Sequence, residues 1–229
     1  MTKRITLLLI LCSLAIHAQT TNKTFLSDAI VNNGQKYLEE CDKAILEKDM
    51  DRVKFLFDSI TSKVFKGAYF DNFQVEQIGG RSLRINDFDK PTVIITLSSW
   101  YITTEGEIAA INQLAKKYKK SIDFVVLYWG NKKQTRKASK DFSSDVTITY
   151  FDELDNRGAY IVGKLKHFFG FPTCYYLNED KSIISITRGA ISQPFYTDQE
   201  TVREDNYNYH SAYVKEMLIE NKASSVATN

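Results

Sequence analysis

Two short apolar segments near the middle of the chain place the strongest constraint on its fold. Thr92–Leu97 is rich in β-branched residues, and Ile122–Trp129 is almost continuously apolar. Such segments are typical of strands that are buried on both faces, as in a parallel sheet covered by helices. The apolar stripe between them, Ile108–Tyr118, predicts a crossover helix capped by Thr103 or Thr104. The central region therefore indicates an α/β fold.

The flanking segments extend this pattern into an α/β sandwich with a mixed central sheet. Residues 35–64 carry helical apolar stripes, beginning with Leu38, Cys41 and Ile45, and a polar break at residues 48–51 predicts a helical hairpin. The turn Asn178–Lys181 predicts that the last two strands form a β-hairpin, which makes the sheet mixed. The remaining expected strands and helices are Phe73–Ile78, Ser82–Ile85, Val146–Phe151, Thr173–Leu177, Ser182–Thr187, Lys132–Phe142, residues 157–168 and Tyr209–Asn221.

The N-terminus has the layout of a secretory signal peptide. Lys3 and Arg4 precede the apolar run Ile5–Ile16, and the small residue Ala18 follows it. Cleavage after Ala18 predicts an exported protein, periplasmic or secreted, without stable membrane insertion; a retained anchor is the alternative. The expected organisation is a signal peptide (1–18), a helical hairpin segment (19–67), a main domain (68–222) and a flexible tail (223–229).

The charge of the mature chain is balanced. Removal of Lys3 and Arg4 from the 30 basic residues leaves 28, equal to the 28 acidic residues. This balance gives no electrostatic reason to expect nucleic acid as a partner.

Few residues of the mature chain are suited to redox or metal chemistry. Cys12 is lost with the signal, which leaves Cys41 and Cys174 far apart in sequence. Two separate buried thiols are the favoured interpretation, and a disulfide between them is the alternative. Only His167 and His210 remain as histidines, so the sequence gives no support for a zinc or copper site and predicts no cofactor.

Three short motifs, in this order, resemble those of the thioredoxin-like superfamily. Trp100–Thr104 follows the first central strand, Phe171–Thr173 precedes the final β-hairpin, and Asn178–Lys181 forms its turn. The resemblance covers about residues 68–221 and is closest to the extracytoplasmic TlpA/redoxin branch. In that family a Trp-Cys-x-x-Cys motif begins the first helix, whereas this chain has Tyr101 and Thr104 in place of the two cysteines.

The resemblance implies a cis bond before Pro172 and a shallow groove where the family pairs with extended peptides. Because a phenol and a hydroxyl cannot form a disulfide, the site is expected to be redox-inactive but still able to bind a peptide or protein partner. Pro172 in trans remains the alternative for that bond, and Tyr101 either contacts the partner or fills the space left by the disulfide. The expected groove residues are Trp100, Tyr101, Thr104, Phe171, Pro172 and Thr173.

Two other functions remain open at this point. The first is a thiol-disulfide oxidoreductase or antioxidant redoxin that uses Cys174 or Cys41, although Cys174 is expected to face inward. The second is a structural role in which the helical hairpin carries the interaction surface. Glu105 and Glu107, in the first turn of the helix after the motif, are interpreted as surface residues that favour the helix dipole. The fold alone does not choose among these functions.

Overall fold

The structure is a computed structural model that describes residues 23–101, 103, 105–155, 162–189 and 198–227. The predicted signal segment 1–18, Thr104 and the first part of the helix-like segment 157–168 lie outside these residues. No helix within the described ranges has the length and apolar character needed to cross a membrane.

The chain begins with the helical hairpin that the sequence predicts. Helix α1 spans Leu26–Leu46, helix α2 spans Met50–Ile60, and one π-helical turn follows at Thr61–Phe65. Asp49 caps α2, because its carboxylate accepts a hydrogen bond of 2.8 Å from the backbone N–H of Arg52. The connection between the helices is therefore short, as the polar break in the sequence indicates.

The buried face of α1 is rotated from the predicted one. Cys41 is buried as expected, but Leu38 and Ile45 are 43% and 53% exposed. The core-facing stripe instead runs through Tyr37, Cys41 and Ala44. Tertiary packing of the hairpin against the sheet, which the local pattern does not encode, selects this face.

Seven strands form one mixed sheet in the order β2-β1-β5-β4-β3-β6-β7. Strands β3, β4 and β5 are parallel, whereas β6 is antiparallel to β3 and β7 is antiparallel to β6. Antiparallel β1 and β2 extend the other edge. The strands are β1 (Gln74–Gln77), β2 (Ser82–Arg84), β3 (Thr92–Ser98), β4 (Asp123–Trp129), β5 (Val146–Phe151), β6 (Thr173–Leu177) and β7 (Ile183–Thr187).

This topology confirms the predicted fold class. The segment β4-β3-β6-β7, with a parallel crossover followed by an antiparallel hairpin, is the core arrangement of a thioredoxin-like sandwich. Helix α3 (Glu105–Tyr118) makes the crossover from β3 to β4, and the short helix α4 (Lys132–Ala138) connects β4 to β5. The connection from β5 to β6 ends in the helical residues Val162–Lys166 and His167–Phe169.

Alternate residues of the central strands supply two separate cores. Ile94 and Tyr175 point towards the N-terminal hairpin, where they pack with Phe57 and Phe65. Ile95 belongs to the opposite core. Because successive side chains of a strand point to opposite faces, the continuous apolar runs of the sequence serve both layers at once.

The closing helix is longer than predicted. Helix α5 spans Gln199–Ala227, not Tyr209–Asn221, so residues 223–227 of the expected flexible tail continue the helix. Asp198 caps its start, since its carboxylate accepts the backbone N–H of Thr201 at 2.9 Å. No glycine or proline follows Asp198 in the sequence, so nothing in the composition ends the helix at Asn221.

Candidate functional site

The candidate site lies where β3 ends and β6 begins. These two strands pair antiparallel, with Thr96 opposite Thr173, so the segment after β3 lies beside the loop before β6. The Thr96 hydroxyl donates a hydrogen bond to the Thr173 carbonyl at 3.2 Å, and the Thr173 hydroxyl donates to the Gly170 carbonyl at 3.1 Å. Thr173 is fully buried, and it therefore anchors the loop instead of presenting a side chain to a partner.

The peptide bond between Phe171 and Pro172 is cis, as the resemblance implies. Pro172 packs closely against Gly189, which follows β7. A Cβ atom added at Gly189 would lie 2.2 Å from Pro172 Cγ, and the residue has φ of 45°. Only glycine fits this position without a shift of the neighbouring loop.

Trp100 and Phe171 form an exposed aromatic surface. Trp100 is 75% exposed, and its ring meets the half-buried Phe171 ring edge-on, with centroids 6.4 Å apart and an angle of 86°. Large exposed aromatic side chains are common at the centres of binding interfaces. We refer to these two side chains as the aromatic surface.

Tyr101 turns into the domain. Its side chain is half-buried and packs against the core that α3 and α5 cover. Burial, reinforced by the nearby Glu107 and Cys174, raises the pKa of the Tyr101 phenol to about 12. The phenol therefore stays protonated at neutral pH.

Glu107 was interpreted from the sequence as a surface residue, and the structure corrects this. Its side chain is only 2% exposed. The sequence did contain an indication of this, because Glu107 precedes Ile111 by four positions and Leu114 by seven, on the same helical face. A buried carboxylate near Tyr101 and Cys174 was the main site feature that sequence reasoning missed.

The two thiols lie far from each other and from solvent. Cys174 is fully buried on the α3/α5 side of the sheet, whereas Cys41 is 7% exposed and packs on the hairpin side. Both are free thiols. Burial, followed by the influence of Glu107, raises the pKa of the Cys174 thiol well above its ordinary value. The environment of Cys174 therefore disfavours the thiolate that disulfide exchange requires.

Within the described ranges, no group of three or more His, Cys, Asp or Glu side chains is arranged to hold a metal ion. His210 is buried and shares a hydrogen bond of 2.8 Å with the Tyr176 hydroxyl through Nδ1. Thr104, the remaining predicted groove residue, lies outside the described residues.

Three described features make up the candidate groove. The aromatic surface, the cis-Pro172 loop and the inward Tyr101 lie together, as the resemblance implies, but no nucleophile with a lowered pKa is among them. What the site offers is apolar area beside a stretch of main chain.

No family model matches the sequence, and no curated protein matches it. Among solved structures, the chain is similar to the thioredoxin domain of a thiol-disulfide oxidoreductase from Bacteroides vulgatus. The sequence identity is 14%, the alignment covers 65% of this chain and 97% of that chain, and the TM-score is 0.48. The chain is also similar to a thiol:disulfide interchange protein from Bacteroides sp. The sequence identity is 14%, the alignment covers 66% of this chain and 90% of that chain, and the TM-score is 0.48.

A third similar structure is a putative thiol:disulfide interchange protein, DsbE, from Chlorobium tepidum. The identity is 17%, the coverage is 61% of this chain and 94% of that chain, and the TM-score is 0.45. The strand order and the cis-Pro172 loop, not these scores, carry the assignment of a thioredoxin-like fold.

Proposed function

We propose that this protein is an exported, redox-inactive thioredoxin-like protein that binds an extended peptide or protein segment. The aromatic surface supplies the apolar anchor, and the main chain around Phe171 and Pro172 supplies hydrogen-bonding groups for strand addition. Export is proposed from the N-terminal layout of residues 1–18.

The exposure of Trp100 is the observation that carries the proposal. A tryptophan that leaves 75% of its surface in water gains little from folding. Trp100 lies directly before the inward Tyr101, beside Phe171, so a partner that covers it also contacts the cis-Pro172 loop. Exposed tryptophans of this kind are enriched among the residues that dominate binding energy.

The alternative, thiol-disulfide exchange through Cys174 or Cys41, is opposed by the chemistry of both thiols. Exchange needs an accessible thiolate and a second sulfur to resolve the mixed disulfide. Cys174 has a raised pKa and no exposed surface, and Cys41 lies on the opposite face of the sheet. In the thioredoxin-like resemblance, Tyr101 and Thr104 take the places of the family's two cysteines.

Peptide selection tests the binding proposal. We expect the immobilised protein to enrich specific sequences from a phage library of random short peptides. Trp100→Ala should weaken the binding of a selected peptide roughly 30-fold, or about 2 kcal/mol, because truncation removes the central anchor. Its unfolding free energy should stay within about 0.5 kcal/mol of wild type, since the side chain is exposed.

Phe55→Ala is the matched control, because Phe55 is an exposed aromatic residue on α2, 55% accessible. This variant should bind the selected peptide as wild type does. Equal binding by Trp100→Ala and wild type would exclude the aromatic surface, and loss of binding in Phe55→Ala would move the interaction to the hairpin.

An insulin-reduction assay tests the alternative. We expect no turnover above background with dithiothreitol for either wild type or the double variant Cys41→Ala/Cys174→Ala. Turnover in wild type that disappears in the double variant would establish the oxidoreductase instead.

A further inference from the structure

A groove of about 500 Å³ opens at the free edge of the sheet, beside β7. It lies between α2 on one side and α5 on the other, with the end of β7 at its base. Its apolar lining comes from Met50, Val53, Phe57, Ile186, Tyr209 and Tyr213. A largely apolar concavity of this size is in the range that holds a small molecule.

The start of the β7 edge is covered by the chain that leaves the hairpin. The Ile183 carbonyl accepts the Gly67 N–H at 2.8 Å, and the Ile183 N–H donates to the Ala68 carbonyl at 2.8 Å. The groove follows directly, at Ile186 and Thr187. It is therefore bounded at one end by paired main chain and on both sides by helices.

The charged residues of the lining give the groove a net positive charge. Arg188 and Lys54 are cationic, and Asp58 is the single acidic residue among the lining residues. The Arg188 guanidinium is held in place, because Nη1 donates to the Phe169 carbonyl at 2.7 Å and the group lies 4.5 Å above the Phe57 ring. A fixed guanidinium at the rim of an apolar groove favours an anionic group.

We infer that this groove binds a small amphipathic anion, a molecule with an apolar body and one carboxylate. The body contacts Val53, Phe57 and Tyr213, and the carboxylate lies towards Arg188 and Lys54. Trp100 and Phe171 are not among the residues that line this groove. The groove uses α2 of the hairpin, a segment that the thioredoxin-like resemblance does not cover.

Calorimetric titration with decanoate tests the inference on the full mature chain. We expect one saturable site, and we expect decylammonium, which has a body of the same length and the opposite charge, to bind at least tenfold more weakly.

Two further comparisons locate the site. Lys54→Gln should weaken decanoate binding severalfold, while Lys63→Gln, on the π-helical turn of the same hairpin and outside this groove, should not change it. Val53→Trp should abolish binding by filling the space. Trp100→Ala should leave decanoate binding unchanged, so failure of one proposal does not imply failure of the other.

Three results would overturn the inference: no saturable binding of decanoate to wild type, equal affinity for decylammonium, or unchanged affinity in a folded Val53→Trp variant. If Val53→Trp does not fold, the Lys54→Gln and Lys63→Gln pair decides, because both are exposed surface substitutions. Equal changes in decanoate affinity in Lys54→Gln and Lys63→Gln would also exclude the groove as the binding site.

Discussion

His210 shows how burial sets the behaviour of a single titratable residue in this protein. It lies on α5 with 3% of its surface exposed and one hydrogen bond, to the Tyr176 hydroxyl. Burial lowers the pKa of the imidazole from 6.5 to about 4. The tyrosine rings of Tyr176, Tyr209 and Tyr213 lie around it, and burial keeps the phenols of Tyr176 and Tyr209 neutral by raising their pKa values.

This low pKa predicts acid destabilisation. Between pH 6.5 and 4 the unfolded chain binds a proton at His210 and the folded chain does not, so stability falls as pH falls through this window. The shift corresponds to about 3 kcal/mol of unfolding free energy. We expect wild type to lose more stability than His210→Asn between pH 7 and 4, measured by urea unfolding.

The stability lost between pH 7 and 4 should be compared between wild type and His210→Asn, because other groups also titrate in this pH range. Burial raises the pKa of Asp71, so that residue favours the folded state as pH falls and acts in the opposite direction. It does so equally in both proteins. If the unfolding free energies of wild type and His210→Asn change in parallel between pH 7 and 4, His210 is protonated in the folded state and the prediction is wrong.

At the scale of elements, the start of α1 depends on a residue distant in sequence. Asp71 accepts the Ser27 backbone N–H at 3.0 Å and the Ser27 hydroxyl at 2.5 Å. Phe25, at the N-cap position, makes no side-chain hydrogen bond to the helix. The Asp71 carboxylate therefore caps α1 in its place.

Asp71→Ala should therefore fray the first turn of α1 and lower the unfolding free energy by about 1–2 kcal/mol, the range for loss of a cap. Urea unfolding gives the free energy, and hydrogen exchange at residues 26–30 locates the change. Asp42→Ala, an exposed substitution on the same helix, should change neither. Uniform exchange across α1 in both variants would contradict this role for Asp71.

Elements held by local patterns could be predicted from sequence, and those held by distant contacts could not. The bounds of β5 and β6 match the prediction because their apolar runs end at turn residues. By contrast, α1 was predicted to start at Gln35 and begins at Leu26, because Asp71 supplies its cap from the other side of the hairpin. In the site, the motifs predicted the cis-Pro172 loop. The burial of Glu107 was not predicted, because a carboxylate at the start of a helix is usually exposed, although its register with Ile111 indicates the buried face.

At the scale of the molecule, the hairpin belongs to the core of the sheet and is not an appendage. Phe57 and Phe65 make edge-on ring contacts with Phe169, at centroid distances of 6.4 and 5.5 Å, and Phe169 in turn contacts Tyr175 of β6. These rings join hairpin and sheet in one cluster of buried residues. Removal of the hairpin would expose this face of the sheet to water.

A chain that begins at Ala68 should therefore fail to fold cooperatively. Loss of even one such aromatic contact, as in Phe169→Ala, should cost about 3–5 kcal/mol, and the truncation removes many more. We expect the truncated chain to lack a sigmoidal urea transition and near-UV circular dichroism. Leu46→Ser, in a hairpin residue that is 85% exposed, should unfold as wild type does. A cooperative transition in the truncated chain would show that residues 68–227 are an independent unit.

The location of the two cysteines gives each layer of the molecule its own chemical reporter. Cys41 is shielded by the hairpin and Cys174 by α3 and α5, on opposite sides of the sheet. An alkylating reagent can modify each one only after the layer above it opens. The order in which the two sulfurs are modified during unfolding therefore records which layer separates from the sheet first.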